Sequence, residues 1–309
     1  MMKGAGGMEI RACNIKKKAT DITLWHYTSP AVLWKMLSGE FYATHYRFMN
    51  DSAEIIYGIQ ALDAFLKKDE SLRYLQFLLM DLQKTDFFLL CFSKDQDNLY
   101  HWRSYTPQGG FSIGFSYNEM CDVFNSIYYD LNDKIQPQYD LVPCLYLSED
   151  GIADLMQKAT RHLISAFKCL PQEDKLLFDQ SVAAVNSGDF SESINILIKS
   201  PKLRKILKCL YPIVFRLPAQ YSAFKNPSFA VEKEYRLVIA GTDLRAQTEY
   251  IGNKPRIKIS TPELAKCIKK VCVSPHGDVA QNFLLAEIAR KRFGLDFEIH
   301  RSQSTFNGR

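Results

Sequence analysis

Glu232, Glu234 and Arg236 recur at every second position of the segment running from Phe229 to Gly241, FAVEKEYRLVIAG. In an extended strand this spacing sets all three on one face and Val231, Lys233, Tyr235, Leu237 and Ile239 on the other. A carboxylate withdrawn from water beside a sheet is costly unless it is paired or used. Two explanations compete: Arg236 neutralises Glu234 on a solvated face, or one acid faces a substrate cleft and works there as charge stabiliser or general base.

His26 and Tyr27 close a short aromatic strand, LWHYT at 24–28, immediately before a helix opened by Ser29-Pro30. An imidazole at such an edge can bond a ribose or phosphate, or can serve as a satisfied structural histidine. Trp102 and Tyr105, with His101 and Arg103 between and beside them, lead into the turn Pro107-Gln108-Gly109-Gly110. Aromatics there form either a stacking platform or core. Asn50-Asp51 followed by Glu54 has the chemistry of a helix cap, and His276 in VSPHGD reads as a loop histidine. Glycine-rich dinucleotide and phosphate loops, a GxSxG elbow and an HExxH helix are all absent. Asp51, Glu232 and Glu234 could hold magnesium as in nucleases with an acid-x-base strand, although those enzymes favour lysine where Arg236 stands.

The elements that must position these residues follow from the pattern. Strands are expected at 24–28, 41–47, 87–93, 111–116, 141–147, 229–241, 256–259, 270–274 and 297–300, with Pro143 marking an edge and Gly114 a close backbone approach or a bulge. Helices are expected at about 30–37, 53–67, 70–83, 117–126, 262–269 and 277–293, the last ending in Arg290, Lys291 and Arg292 before Gly294. From 149 to about 217 the periodicity is helical throughout. The fold class is therefore α+β, a mixed sheet with an all-helical insertion. Residues 1–21 read as a flexible tail, and 22–309 as a single domain carrying the insertion.

A chain of 309 residues with 47% hydrophobic and 24% charged residues is ordinary for a soluble globular protein. A net charge of +5 is too small to single out nucleic acid as a partner. The eight cysteines form no CxxC pair, so no metal site is expected, and their dispersion suits a reducing cytoplasm. No run approaches the length of a membrane span, so no membrane partner is expected.

HYT at 26–28, ND at 50–51 with Glu54, CFS at 91–93, WRSY at 102–105, GGFSIGF at 109–115 and EKEYR at 232–236 resemble, in order, the blocks of a bacterial family known as domain of unknown function 2971. The opening WHYTSPAVLWKMLSGEFYAT more distantly resembles the start of ADP-ribosyltransferase folds. That resemblance implies an ADP-ribosyltransferase-like sheet and an NAD-consuming enzyme of toxin or antiphage type, with NAD as substrate rather than resident cofactor. It implies His26, Glu232 and Glu234 as catalytic residues. It also implies His26, Tyr27, Thr28, Trp102, Tyr105 and Arg236 as nucleotide contacts, Arg103 competing with Arg236 for the diphosphate. The acceptor would be a nucleic acid or a protein, and a homo-oligomer stays open. A metal-dependent nuclease and a non-catalytic nucleotide- or nucleic-acid-binding module are the alternatives.

Overall fold

The computed structural model describes residues 17–49, 52–69, 72, 86–129, 138–206, 219, 222–241 and 244–304. Asn50, Asp51 and most of the helix expected at 70–83 lie outside them. The chain divides into two compact units, residues 1–45, 88–143 and 231–309 in one, and 46–87 and 144–230 in the other.

The first unit is built on a mixed sheet. Its strands are β1 (Thr23–Thr28), β2 (Glu40–His45), β3 (Phe87–Ser93), β4 (Phe111–Ser116), β5 (Gln138–Pro143), β8 (Glu234–Ala240), β9 (Thr248–Ile251), β10 (Lys254–Ser260), β11 (Ile268–Val273) and β12 (Glu298–Arg301). The order is β12-β11-β4-β1-β3-β2-β10-β9, and β8 pairs with both β3 and β5. β11 and β12 run parallel, while β1 lies antiparallel to β3 and β4. Alternation along the strands sends Leu24, Phe41, Leu90, Phe92, Ile113, Phe115, Tyr235, Leu237 and Ile257 into one core. Each such side chain contributes about 1.5–3 kcal/mol by leaving water.

Helices α1 (Pro30–Leu37), α4 (Tyr117–Tyr129), α8 (Pro262–Lys266) and α9 (Val279–Phe293) belong to this unit, and Leu33, Met36, Phe124, Leu264 and Ala286 from them join that core. α9 is bounded as its sequence dictates. The Asp278 side chain accepts from the Gln281 N–H at 2.9 Å, and Gly294 ends the helix in the left-handed region at φ 63°. Ser29 takes the capping backbone conformation at the start of α1 without a side-chain bond, leaving Pro30 as the signal that fixes that start. Gly114 is required by packing: an added Cβ would stand 2.7 Å from the indole of Trp25, its register partner on β1.

The second unit is largely helical, with α2 (Ser52–Leu66), α5 (Glu149–Lys168), α6 (Gln172–Asn186) and α7 (Phe190–Leu197), a further helical stretch at 201–206, and the short parallel pair β6 (Leu145–Tyr146) and β7 (Phe224–Lys225). Leu62, Phe65, Ile152, Met156, Leu163, Phe178 and Phe224 form its core. The insertion read from the sequence at 149–217 is helical through 206 apart from short turns, and residues 207–217 are outside the described set.

Candidate functional site

The site begins where β8 begins, and that start differs from the sequence expectation. Pro227–Glu232 wind as a 3-10 turn, and the strand opens only at Glu234. Lys233, between them, has φ 44°, a left-handed backbone that costs a non-glycine residue about 1–3 kcal/mol and breaks strand alternation. Glu232 therefore does not share a strand face with Glu234 and Arg236. Three contacts hold the turn. The Lys94 N–H donates to the Lys233 carbonyl at 3.1 Å, the Ser93 hydroxyl donates to the Glu232 carbonyl at 2.8 Å, and Lys233 Nζ meets Asp95 Oδ1 at 3.1 Å.

Within β8, Glu234 and Arg236 do share a face, the one turned away from the core that takes Tyr235 and Leu237. Arg236 Nε donates to Glu234 Oε1 at 2.8 Å and Nη2 to Oε2 at 2.9 Å, a bidentate pair with both residues buried. The pairing foreseen for a solvated surface thus occurs in the interior. There it orients Glu234 and commits Nε and Nη2 of Arg236 to it, so the role expected of Arg236 toward a diphosphate is taken up by an internal acid.

The imidazole that accompanies these acids is His101, which the sequence offered only as a neighbour of Trp102. It lies on α3 (Leu99–Tyr105), a helix whose Asn98 cap accepts from the Tyr100 N–H at 2.9 Å. His101 Nε2 approaches Ser93 Oγ at 3.0 Å and the Glu232 carbonyl at 3.2 Å. A carbonyl can only accept, so Nε2 carries the proton. Nδ1 is then a bare acceptor, buried and without a partner among the described residues. Burial holds the His101 pKa below its ordinary value, against the opposing pull of Glu232, Asp95 and Glu234, so the ring is neutral at pH 7. Tyr100 donates to Glu232 Oε1 at 3.1 Å, which brings that carboxylate to the same helix.

His26 is placed elsewhere. Its register partner on β4 is Ile113, which belongs to the core, and its ring stands edge-on to Phe92 with centroids 5.9 Å apart. It thus occupies the opposite sheet face from Glu234, and the expected meeting of His26 with the acids is not formed. β1 and β3 are in register only at Trp25 and Ser93, and His26 Nδ1 donates to the Cys91 carbonyl at 2.8 Å beyond that point. Burial, followed by the charge of Arg256, keeps its pKa low, although the Cys91 bond acts the other way.

The aromatic residues expected to grip a nucleotide divide into two groups. Trp102 is fully buried, and with Trp25, Tyr27 and Cys272 it makes a small core of its own, so it offers no open face for nicotinamide. Tyr27 is likewise committed: its hydroxyl donates to the Asp95 carbonyl at 2.8 Å and accepts from the Asn98 N–H at 3.0 Å, while its ring lies 4.7 Å from both His101 and Trp102. Thr28 is buried opposite Phe111. Tyr105 alone of the group is exposed, 5.8 Å from the His101 ring.

A residue absent from the sequence reading, Asp97, anchors this corner. Its carboxylate accepts from Trp102 Nε1 at 2.6 Å, from Ser302 and Ser304 hydroxyls at 2.6 and 2.9 Å, and from the Gln303 N–H at 2.6 Å. Burial works to raise its pKa, and these bonds outweigh it.

Among the described residues no three His, Cys, Asp or Glu side chains stand together as a metal could require. Asp51 lies outside those residues, and no described helix is long and apolar enough to cross a membrane. Residues 101–237 match the family model whose description is protein of unknown function (DUF2971), a span of this chain that includes Trp102, the GGFSIGF strand and the EKEYR segment. No curated protein and no solved structure matches the chain.

Proposed function

With residues 101–237 assigned to that family, we propose that the first unit cleaves the nicotinamide glycosidic bond of NAD and passes ADP-ribose to an acceptor. The observation that supports this most is the buried acid pair at the start of β8, one member paired bidentately with Arg236 and the other held against α3.

When the bond between ribose C1′ and nicotinamide breaks, its electron pair goes to the pyridinium nitrogen. Nicotinamide leaves neutral and needs no proton, while positive charge grows on the ribose as in glycoside hydrolysis. A carboxylate is suited to face that charge, and the bidentate guanidinium holds Glu234 in one orientation. The incoming acceptor must lose a proton, and Glu232 is the acid assigned to take it. His101 acts through Glu232 by holding its backbone carbonyl, and is a positioning residue. Tyr105, exposed beside His101, supplies the aromatic surface for the base.

The test is nicotinamide release from NAD by wild type, Glu232→Gln and Glu234→Gln, with folding of each checked by circular dichroism. Wild type should release nicotinamide and the variants should lose about 10²-fold or more of that rate. Absence of turnover by folded wild type with protein, nucleic acid and water as acceptors would reject the reading.

A further inference from the structure

Once Glu234 has claimed the Arg236 fork, an anionic ligand of this unit needs another cation, and β10 holds one. Lys254, Arg256 and Lys258 alternate along it with Ile257 and Ile259, which enter the core, so the three cations lie on the opposite face. Lys258 is answered by Glu40 Oε1 at 2.8 Å. Arg256 is not answered in this way. Its Nε is buried with no hydrogen-bond partner, and Arg256 forms no ion pair among the described residues, Glu249 across the β9–β10 ladder included. A buried guanidinium donor left unsatisfied is expensive, and a bound anion is the partner that forms the strongest hydrogen bonds to it.

We infer that Arg256, with Lys254 two residues before it on the same face, is a binding site for the phosphate groups of a small-molecule ligand. The surroundings are consistent with an uncompensated cation. The charge of Arg256 reaches Lys254 and His26, adding in each case to the effect of burial in lowering the pKa. A phosphate beside Arg256 would satisfy the buried Nε–H and relieve its repulsion with Lys254. A guanidinium suits this because its fork matches two phosphate oxygens, where an ammonium acts as a point charge. In the NAD reading the site would receive the diphosphate, but it stands on Arg256 and not on glycosidic cleavage.

The experiment titrates inorganic pyrophosphate into the full chain by calorimetry, beside adenosine and a short DNA duplex. Wild type should bind pyrophosphate saturably and adenosine should leave the site unchanged. Arg256→Gln should weaken pyrophosphate binding about tenfold or more, with Arg256→Lys in between. Since Arg256 makes no ion pair among the described residues and its Nε is unsatisfied, Arg256→Gln should melt no lower than wild type without ligand. No saturable binding by wild type, or equal binding by Arg256→Gln, overturns the inference. Duplex binding that is tighter than pyrophosphate binding and depends on Arg256 overturns the small-molecule assignment. Because the probe carries no glycosidic bond, its result is independent of whether NAD is cleaved.

Discussion

His26, half-buried, and His101, buried, both bond to the end of β3, yet their surroundings are opposite in charge and in proton position. His26 donates through Nδ1 to the Cys91 carbonyl and feels the Arg256 cation, whereas His101 donates through Nε2 toward Ser93 and Glu232 and feels three acids. The residue type is the same. What separates a strand plug from a member of a candidate active site is the sign of the neighbouring charge and the sheet face. Neither is visible in a histidine's immediate sequence.

The largest effect should come from the acids on the His101 side. Arg236→Met strips the buried Glu234 carboxylate of its partner and should cost about 3–5 kcal/mol in urea unfolding, and Glu234→Gln in the same chain should recover much of it. Recovery would show that the loss is electrostatic. Equal loss in both variants would point to packing, and the contrast between the two histidines would lose its basis.

Next is the anchor of α3. Asp97→Ala leaves the buried Trp102 Nε1 and the Ser302 and Ser304 hydroxyls without their acceptor, and should cost about 1–3 kcal/mol. Because α3 carries His101 and not His26, the resonances of His101 should shift in the variant while those of His26 stay in place.

Smaller again is the response to pH. Both histidines have folded-state pKa values below the unfolded value of about 6.5, so the unfolded chain binds more protons as pH falls through that point. Their contribution is complete above pH 6.5, declines below it and levels off once the folded-state pKa values are passed. His26→Asn retains a donor to the Cys91 carbonyl and should flatten part of this decline between pH 6.5 and 5 in thermal unfolding scans.

Much of the fold was legible from local chemistry. Asp278, the basic turn at 290–292 and Gly294 mark α9 because caps act over a few residues, and Gly114 marked a crowded point of β4, although what crowds it is the Trp25 side chain and not backbone. The β9–β10 hairpin was encoded too, in Gly252-Asn253, both at positive φ, although only a strand near 256–259 was read. The start of β8 was not legible. Nothing about a lysine signals a positive φ, which at Lys233 is held by Lys94 and Asp95 from far along the chain. The acids and the Arg236–Glu234 pairing could be read from spacing. Which imidazole joins them could not, since His101 reaches Glu232 through the placement of α3 and not through periodicity.

The most direct test is therefore the nicotinamide-release rate of variants at the two histidines, side by side. His101→Ala should lower kcat about 10²-fold by releasing the Glu232 backbone, with His101→Gln restoring much of it through its own N–H donor. His26→Asn should leave kcat near wild type. Loss of turnover in His26→Asn with full activity in His101→Ala would contradict the account.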